Sequence, residues 1–346
     1  MGFRPMRYHR TARIYTVRLA NGHSWAILPS EQTADWAGEF ARLLGFSTKR
    51  ATVDALLKLM RISPMPGREH RPWWVPPVGF PRDGWHVRLS PGLELWRHPM
   101  VKGAIAALDD CRDRAAVAMQ MKYALYPFYE NTILGGGLPL HAALIEEGGR
   151  GILLAGRSGV GKSTVSRRIP SPWMPLADDF ALAVRDGQGL WHAHPLPTWS
   201  AFSSGGDAPM APTCRSVPLA AVFCLVQSES DEVIDPGRGA ASVMIDEAAM
   251  MVLRTIEASN EPVQGSPMRR RIFENAAALA ASVPCYMLRL SLTGRFWEKI
   301  EEVLGQEQEQ PREGRHCEAV ERKETELVFG ATDSMPEGSS ILDGRA

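Results

Sequence analysis

The chain has 346 residues, 45% of them hydrophobic, with 39 basic and 39 acidic side chains. That length allows one large or two modest domains, and a net charge of zero removes the global positive field that would draw in nucleic acid or an anionic membrane surface. Five widely spaced cysteines (Cys111, Cys214, Cys224, Cys285 and Cys317) with no C-x-x-C pair support neither a disulfide framework nor a structural zinc site, and the basic N-terminus has no apolar stretch of signal-peptide length behind it.

No run of about 18 apolar residues offers a membrane span. The expectation is a cytoplasmic protein with reduced thiols, no membrane partner and no nucleic-acid partner.

Residues 1–100 read as a small α+β region. "RIYTVRLANGHSWAIL" carries Asn21-Gly22 between two strand-like runs, the signal for a two-residue type I′ hairpin. "DWAGEFARLLGF" has helical spacing, and "RPWWVPPVGFPRDGWHVRLSPGLELW" predicts short strands around Gly84 and Gly92. Trp73, Trp74, Trp85 and Trp96 are expected to serve a core or a domain interface, with a peptide groove as the alternative use. Residues 101–130, rich in Ala, Leu, Met and Tyr, read as helix, and Gly135, Gly136 and Gly137 mark a break before a new strand.

From 138 onward the pattern alternates strands and helices. "HAALIEEGGRGILLAG" predicts two strands joined at Gly148-Gly149, with a short helix from Lys162 that Pro170 stops. "WMPLA" predicts a strand, and "FALAVRDGQGLWHAH" a hairpin turning at Asp186-Gly187. "LAAVFCLVQ" predicts a buried strand. Two helices ("ASVMIDEAAMMVLRTIEA" and "MRRRIFENAAALAASV"), a strand ("VPCYMLRLSL") and a closing helix ("GRFWEKIEEVLG") complete the domain, 101–305. Residues 306–346 are polar and aperiodic, the composition of a disordered tail.

The chemistry centres on "GILLAGRSGVGKSTV". Gly156, Gly161, Lys162 and Ser163 meet the phosphate-loop pattern G-x-x-x-x-G-K-[ST], in the required context of a preceding apolar strand and a following helix. Gly156, Gly159 and Gly161 allow backbone angles closed to other residues, so that successive N–H groups from Arg157, Ser158, Gly159, Val160 and beyond can turn inward as an anion nest. Lys162 would reach the β- and γ-phosphates, and the Ser163 hydroxyl would ligate Mg²⁺. A strand carrying "WMPLA" back beside the loop strand would set Asp178 and Asp179 next to the loop, one to hold the metal and one to act as base. His141, at the start of the strand before the loop strand, could donate a hydrogen bond to phosphate or orient an acceptor. A turn or cap use of the Asp pair and a structural use of His141 remain open at this level, as does a two-histidine metal site from His192 and His194, which lacks an evident third ligand.

The segment "LPLHAALIEEGGRGILLAGRSGVGKSTVSRRIPSPWMPLADDFALAV" resembles the C-terminal kinase domain of HPr kinase/phosphorylase: histidine, phosphate loop, short helix and "ADD" occur in that order. "HAHPLPTWSAF" and "VPCYMLRLSLTGRFWEKIEEVL" look more like a divergent branch, the HPr-kinase-like proteins of peptide-modification cassettes of the SynChlorMet type. The likeness covers about 130–303. It implies an α/β (α+β) fold, with a mixed-sheet phosphate-loop core akin to phosphoenolpyruvate carboxykinase.

The resemblance further implies ATP bound by Gly156 through Thr164. Asp178 is implied as catalytic acid/base, Asp179 as its metal-side neighbour, and His141 as a residue close to the phosphates. Homo-oligomers are common in that family. Thr164 stands where HPr kinases usually carry Glu, and the downstream "RGLG" signature is absent, which argues against the reverse, phosphate-driven reaction and against HPr as substrate. The expected function is therefore an ATP- and Mg²⁺-dependent Ser/Thr kinase of a peptide or small protein, with residues 1–100 recognising the acceptor. A non-catalytic ATP-binding assembly or regulatory module and a small-molecule kinase are the alternatives.

Overall fold

A computed structural model describes residues 13–48, 53–61, 80–111, 113–203, 211–254 and 267–309. Trp73, Trp74, Cys317 and the segment 310–346 lie outside these residues. The described chain is a mixed α/β structure built on two sheets.

The first sheet has six strands. β1 (Tyr15–Arg18) and β2 (Ser24–Pro29) form an antiparallel hairpin, followed by α1 (Ala34–Leu44), β3 (Ala55–Arg61), β4 (His86–Ser90), β5 (Leu93–Arg97) and β6 (Gly103–Leu108), in the order β1-β2-β3-β6-β5-β4. The Asn21-Gly22 hairpin differs in detail from its expected form. Leu19 N donates to His23 O and Gly22 N donates to Leu19 O, so the loop has three residues, with Gly22 alone carrying the left-handed step at φ 83°. Asn21 Oδ1 accepts from His23 N at 3.0 Å, so the side chain serves the turn rather than the backbone sign.

The segment from residue 101 begins as strand, not helix. Gly103 starts β6, and the run Ala104–Leu108 is fully buried between β3 and β5. Alanine is a good helix former, but here the apolar run is short, ends at Asp109-Asp110 and is buried on both faces, which is the pattern of a central strand. The first sheet thus extends past residue 100. Trp96 packs with Ile105 and Ala107 as a buried core residue, and the half-buried Trp85 packs against them with Phe80.

Helices α2 (Arg114–Ala124) and α3 (Tyr126–Leu134) follow; Asp113 caps α2 by accepting from Ala116 N at 3.0 Å. Beyond them lies the second sheet: β7 (Leu138–Leu140), β8 (Ala142–Glu147), β9 (Arg150–Ala155), α4 (Lys162–Arg168), β10 (Met174–Ala177), β11 (Ala181–Arg185), β12 (Trp191–Pro195), α5 (Trp199–Ser203), β13 (Val217–Gln227), β14 (Glu232–Ile234), α6 (Gly237–Arg254), α7 (Pro267–Ser282), β15 (Cys285–Leu290) and α8 (Phe296–Glu309). Nine strands take part, with β10-β8-β9-β13-β12-β11-β7 as the main path and β15, then β14, joined to β13. The β8–β9 turn is the expected Gly148-Gly149 pair, at φ 57° and 79°. α8 continues to Glu309, past the boundary at 305.

β13 organises this sheet. Its first two residues pair with β12, and from Leu219 onward it lies parallel to β9 on one side and β15 on the other. β10 pairs with β8, not with the loop strand β9 as the simplest reading had it. Because β8 runs antiparallel to both, β9 and β10 still point the same way, and their carboxyl ends meet the start of β8 at one edge of the sheet.

His194 ties the two sheets together. Its Nε2 accepts from Ala20 N at 3.0 Å, which requires the proton on Nδ1, and Nδ1–H donates to Thr213 O at 2.8 Å. His192 pairs with Asp186 at 3.0 Å. Both nitrogens of His194 are thus committed, the two-histidine metal reading fails, and among the described residues no group of three or more His, Cys, Asp or Glu could hold a metal ion. Arg269, in the basic run of α7, forms an ion pair with the buried Asp246 of α6.

Burial of the neutral imidazole pushes the His194 pKa down to about 4. The unfolded chain therefore binds the extra proton first. Stability supplied by this residue is complete above about pH 6.5 and is lost as pH falls toward 4, by about 3 kcal/mol at most. Urea unfolding at pH 7, 5.5 and 4.5 should show a shallower pH slope for His194→Gln than for the native chain; parallel slopes would contradict this role.

Candidate functional site

Three strand ends converge beside the loop. β9 ends at Ala155 and leads into Gly156; Ala142 of β8 pairs with Ala155, so His141 stands at that same end; β10 ends at Ala177 and delivers Asp178 and Asp179. The backbone fixes His141 further: its N–H donates to Ala248 O of α6 at 3.1 Å, and its carbonyl accepts from Gly156 N at 3.3 Å.

The loop itself is tightly wound. Val160 N donates to Arg157 O at 3.2 Å. A Cβ on Gly156 would lie 2.8 Å from Val160 Cγ1 and 3.4 Å from Leu225 Cβ, so this position has no room for a side chain. Gly159 and Gly161 adopt φ 79° and 108°, and nothing lies within 4 Å of where their Cβ atoms would be, leaving the concave side open. Gln227, at the end of β13, braces the loop from outside by donating to Gly159 O at 3.0 Å. Arg157 and Ser158 are exposed, and Arg157 lies 3.7 Å from Glu247 of α6. Ser163 and Thr164 sit in the first turn of α4, Ser163 half-buried and Thr164 exposed.

Lys162 turns back into this structure and is 95% buried. Its ammonium lies 3.1 Å from Gly156 O, 3.1 Å from Arg157 O and 3.2 Å from His141 Nδ1. An ammonium has three N–H donors, and three acceptors surround it if His141 carries its ring proton on Nε2. The Asp179 carboxylate, 2.9 Å from His141 Nε2, favours that tautomer, whereas the Gly156 carbonyl, 2.9 Å from His141 Nδ1, accepts from the ring in the other. The result is a continuous line, Asp179–His141–Lys162, ending on the loop carbonyls. Burial pushes the Lys162 pKa down to about 8, against the opposing pull of Asp179 and, more weakly, of Asp178.

The two aspartates have different partners. Asp178 is buried and accepts from the Thr198 hydroxyl, on the segment leading into α5. Asp179 is more open, bonded to His141 through one carboxylate oxygen. Both reach Lys162 electrostatically, so the expected neighbours of the loop are brought together: His141, Lys162, Asp178 and Asp179 form one cluster.

The surrounding wall was not foreseen. Phe180 packs against the His141 ring, centroids 5.4 Å apart, and Lys122 of α2 lies 5.2 Å above the Phe180 ring. Tyr129 of α3 is buried within reach of the Asp179 charge; burial first, then that charge, push its hydroxyl pKa well up. Thr198, Lys122 and Tyr129 carry no local motif. Only Phe180 sits inside a stretch that sequence spacing singles out.

A buried ammonium, an imidazole and a carboxylate in line beside a glycine-rich loop can hold an anion and order a cation beside it. Among the described residues, no helix is long and apolar enough to cross a membrane. The family model of SynChlorMet cassette protein ScmC matches residues 104–305, more than half of the chain, from β6 into α8. No curated protein matches the chain.

A buried ammonium that exchanges carbonyl acceptors for an anion should raise its pKa on binding. Titrating inorganic triphosphate in buffers of different ionisation enthalpy at pH 8 should reveal proton uptake, with affinity falling as pH rises through about 8. In Lys162→Met both effects should vanish; proton uptake unchanged in that variant would move the binding group elsewhere.

Proposed function

The chain belongs to the SynChlorMet cassette protein ScmC family, and we propose that it serves there as an ATP- and Mg²⁺-dependent phosphotransferase acting on a hydroxyl group of a peptide or small protein. The observation that carries this reading is the Lys162 ammonium seated on the loop carbonyls, 3.2 Å from His141, which in turn lies 2.9 Å from Asp179. The likeness of residues 130–303 to HPr kinases supports it.

In this reading the loop amides and Lys162 cradle the polyphosphate, exchanging the lysine's internal acceptors for phosphate oxygens. Ser163 and Asp179 are the residues that would hold Mg²⁺. One hydroxyl and one carboxylate, with the remaining positions filled by substrate oxygens and water, suit that hard ion, and the His141 bond leaves the second oxygen of Asp179 for it. The cation would offset the charge of the phosphates. Asp178 takes the proton from the acceptor hydroxyl while its oxygen forms a new bond to the γ-phosphorus and the bond to the departing ADP oxygen breaks. Thr198 holds the Asp178 carboxylate in place for that transfer.

Asp178→Asn should leave ATP affinity within a fewfold of the native value and cut turnover by about a hundredfold or more. The measurement is mass spectrometry of candidate peptides, including those encoded beside the gene, after incubation with ATP and Mg²⁺. ATP binding without any phosphorylated product would favour a nucleotide-binding assembly module instead, and a phosphorylated small molecule with an unmodified peptide would favour a small-molecule kinase.

A further inference from the structure

We propose that Lys122 of α2 is a second phosphate-binding cation of this site, contacting the terminal phosphate of a bound nucleoside triphosphate together with Lys162. The inference deepens the reading above and rests on it.

Lys122 stands in the last turn of α2 with its ammonium 5.2 Å from the centre of the Phe180 ring. Phe180 directly follows Asp179 and stacks at a tilt on His141, 5.4 Å between centroids. The nearest aromatic face to Lys122 is therefore part of the cluster around Asp179. Yet no carboxylate lies within ion-pair distance of Lys122 among the described residues, and its ammonium has no hydrogen-bond acceptor there. Lys122 is half-buried, and its ammonium is open to solvent or to a ligand. A structural lysine at such a place would be expected to close on Asp179; this one stops at the ring and leaves its three donors unused by the described chain.

Charge places it on the same centre as Lys162. Burial lowers the Lys122 pKa and the Asp179 charge opposes that, the same balance that acts on Lys162. Among the described residues Asp179 is the carboxylate whose charge acts on both ammonium groups, and Phe180, the next residue, carries the ring that Lys122 lies over. Lys162 approaches from the loop and Lys122 from α2. An anion seated along the loop amides with its far end toward Asp179 brings that end toward the carboxylate that acts on both cations. For a nucleotide on a phosphate loop, the far end is the third phosphate. A diphosphate ends short of it.

That geometry makes the test a comparison of ligands. ATP and ADP affinities, with Mg²⁺, are measured calorimetrically on the full chain for the native protein, Lys122→Met and Lys122→Arg. Methionine keeps the apolar stem over Phe180 and removes the charge. The expected result is a loss of about tenfold or more in ATP affinity for Lys122→Met, with ADP affinity within about twofold and the Arg variant near native. Equal losses for both nucleotides, or no loss for either, would overturn the proposal, since a lysine that only supports the fold would not tell three phosphates from two. Where Lys122→Met does not fold, Lys122→Gln carries the same comparison. Failure of the native chain to bind ATP at all is a separate outcome: it overturns the phosphotransferase reading itself, and this inference with it.

Discussion

The Lys162 ammonium governs the architecture of the site. A cation that is 95% buried must find acceptors, and this one finds three: two loop carbonyls and a histidine nitrogen. Each acceptor constrains an element. The carbonyls fix the winding of residues 156–157. The histidine fixes the start of β8 and, through its other nitrogen, Asp179 at the end of β10. Removing any one of these partners leaves a buried donor or acceptor unpaired, so the phosphate loop, the histidine and the acidic pair stand as one unit rather than as three motifs that happen to be neighbours.

The sheet makes that unit possible. β8 lies between β9 and β10 and runs against both, so one strand's start and two strands' ends fall at the same edge. Parallel pairing with β13 on one side and antiparallel pairing with β8 on the other places the loop strand β9 inside the sheet. The loop therefore springs from a rigid strand and is braced again by Gln227 at the end of β13. The first sheet is attached to this body by specific polar contacts as well as by apolar packing. The Ala20–His194 bond crosses between them, and the family match begins within β6, the strand next to which α2 and α3 start. Those two helices bring Lys122 and Tyr129 to the cluster, so the wall of the site is supplied by residues ahead of the phosphate-loop segment.

Residues whose partners are near in the chain were legible before the structure was known. The glycine-rich loop between a strand and a helix, the Gly148-Gly149 turn and the strand read over 219–227, which begins two residues earlier at Val217, are each encoded by local glycine or apolar pattern. The His141 and Asp178-Asp179 placements were legible only through spacing and resemblance, since nothing local makes a histidine at a strand start face a lysine 21 positions on. Strand 103–108 was misread as helix because alanine's propensity points one way and burial between two strands points the other; burial won. Lys122, Tyr129 and Thr198 were silent. Their roles depend on how α2, α3 and the 196–198 segment are folded against the second sheet, which no period or motif expresses.

The charge balance of the cluster argues that nucleotide and divalent ion enter together. Two ammonium groups, Lys122 and Lys162, face two carboxylates, Asp178 and Asp179, so the site carries no surplus positive charge of its own. A polyphosphate bearing several negative charges exceeds what two cations, matched in number by two nearby carboxylates, can offset in a partly buried place. The loop amides and the lysines lower that cost without removing it. In the proposed reading a divalent cation held by Asp179 would offset the remainder and lessen the pull of that carboxylate on Lys162. Under the proposed phosphotransferase reading, Asp179 would be the residue that ties the site to a metal, and its bond to His141 holds it beside the loop.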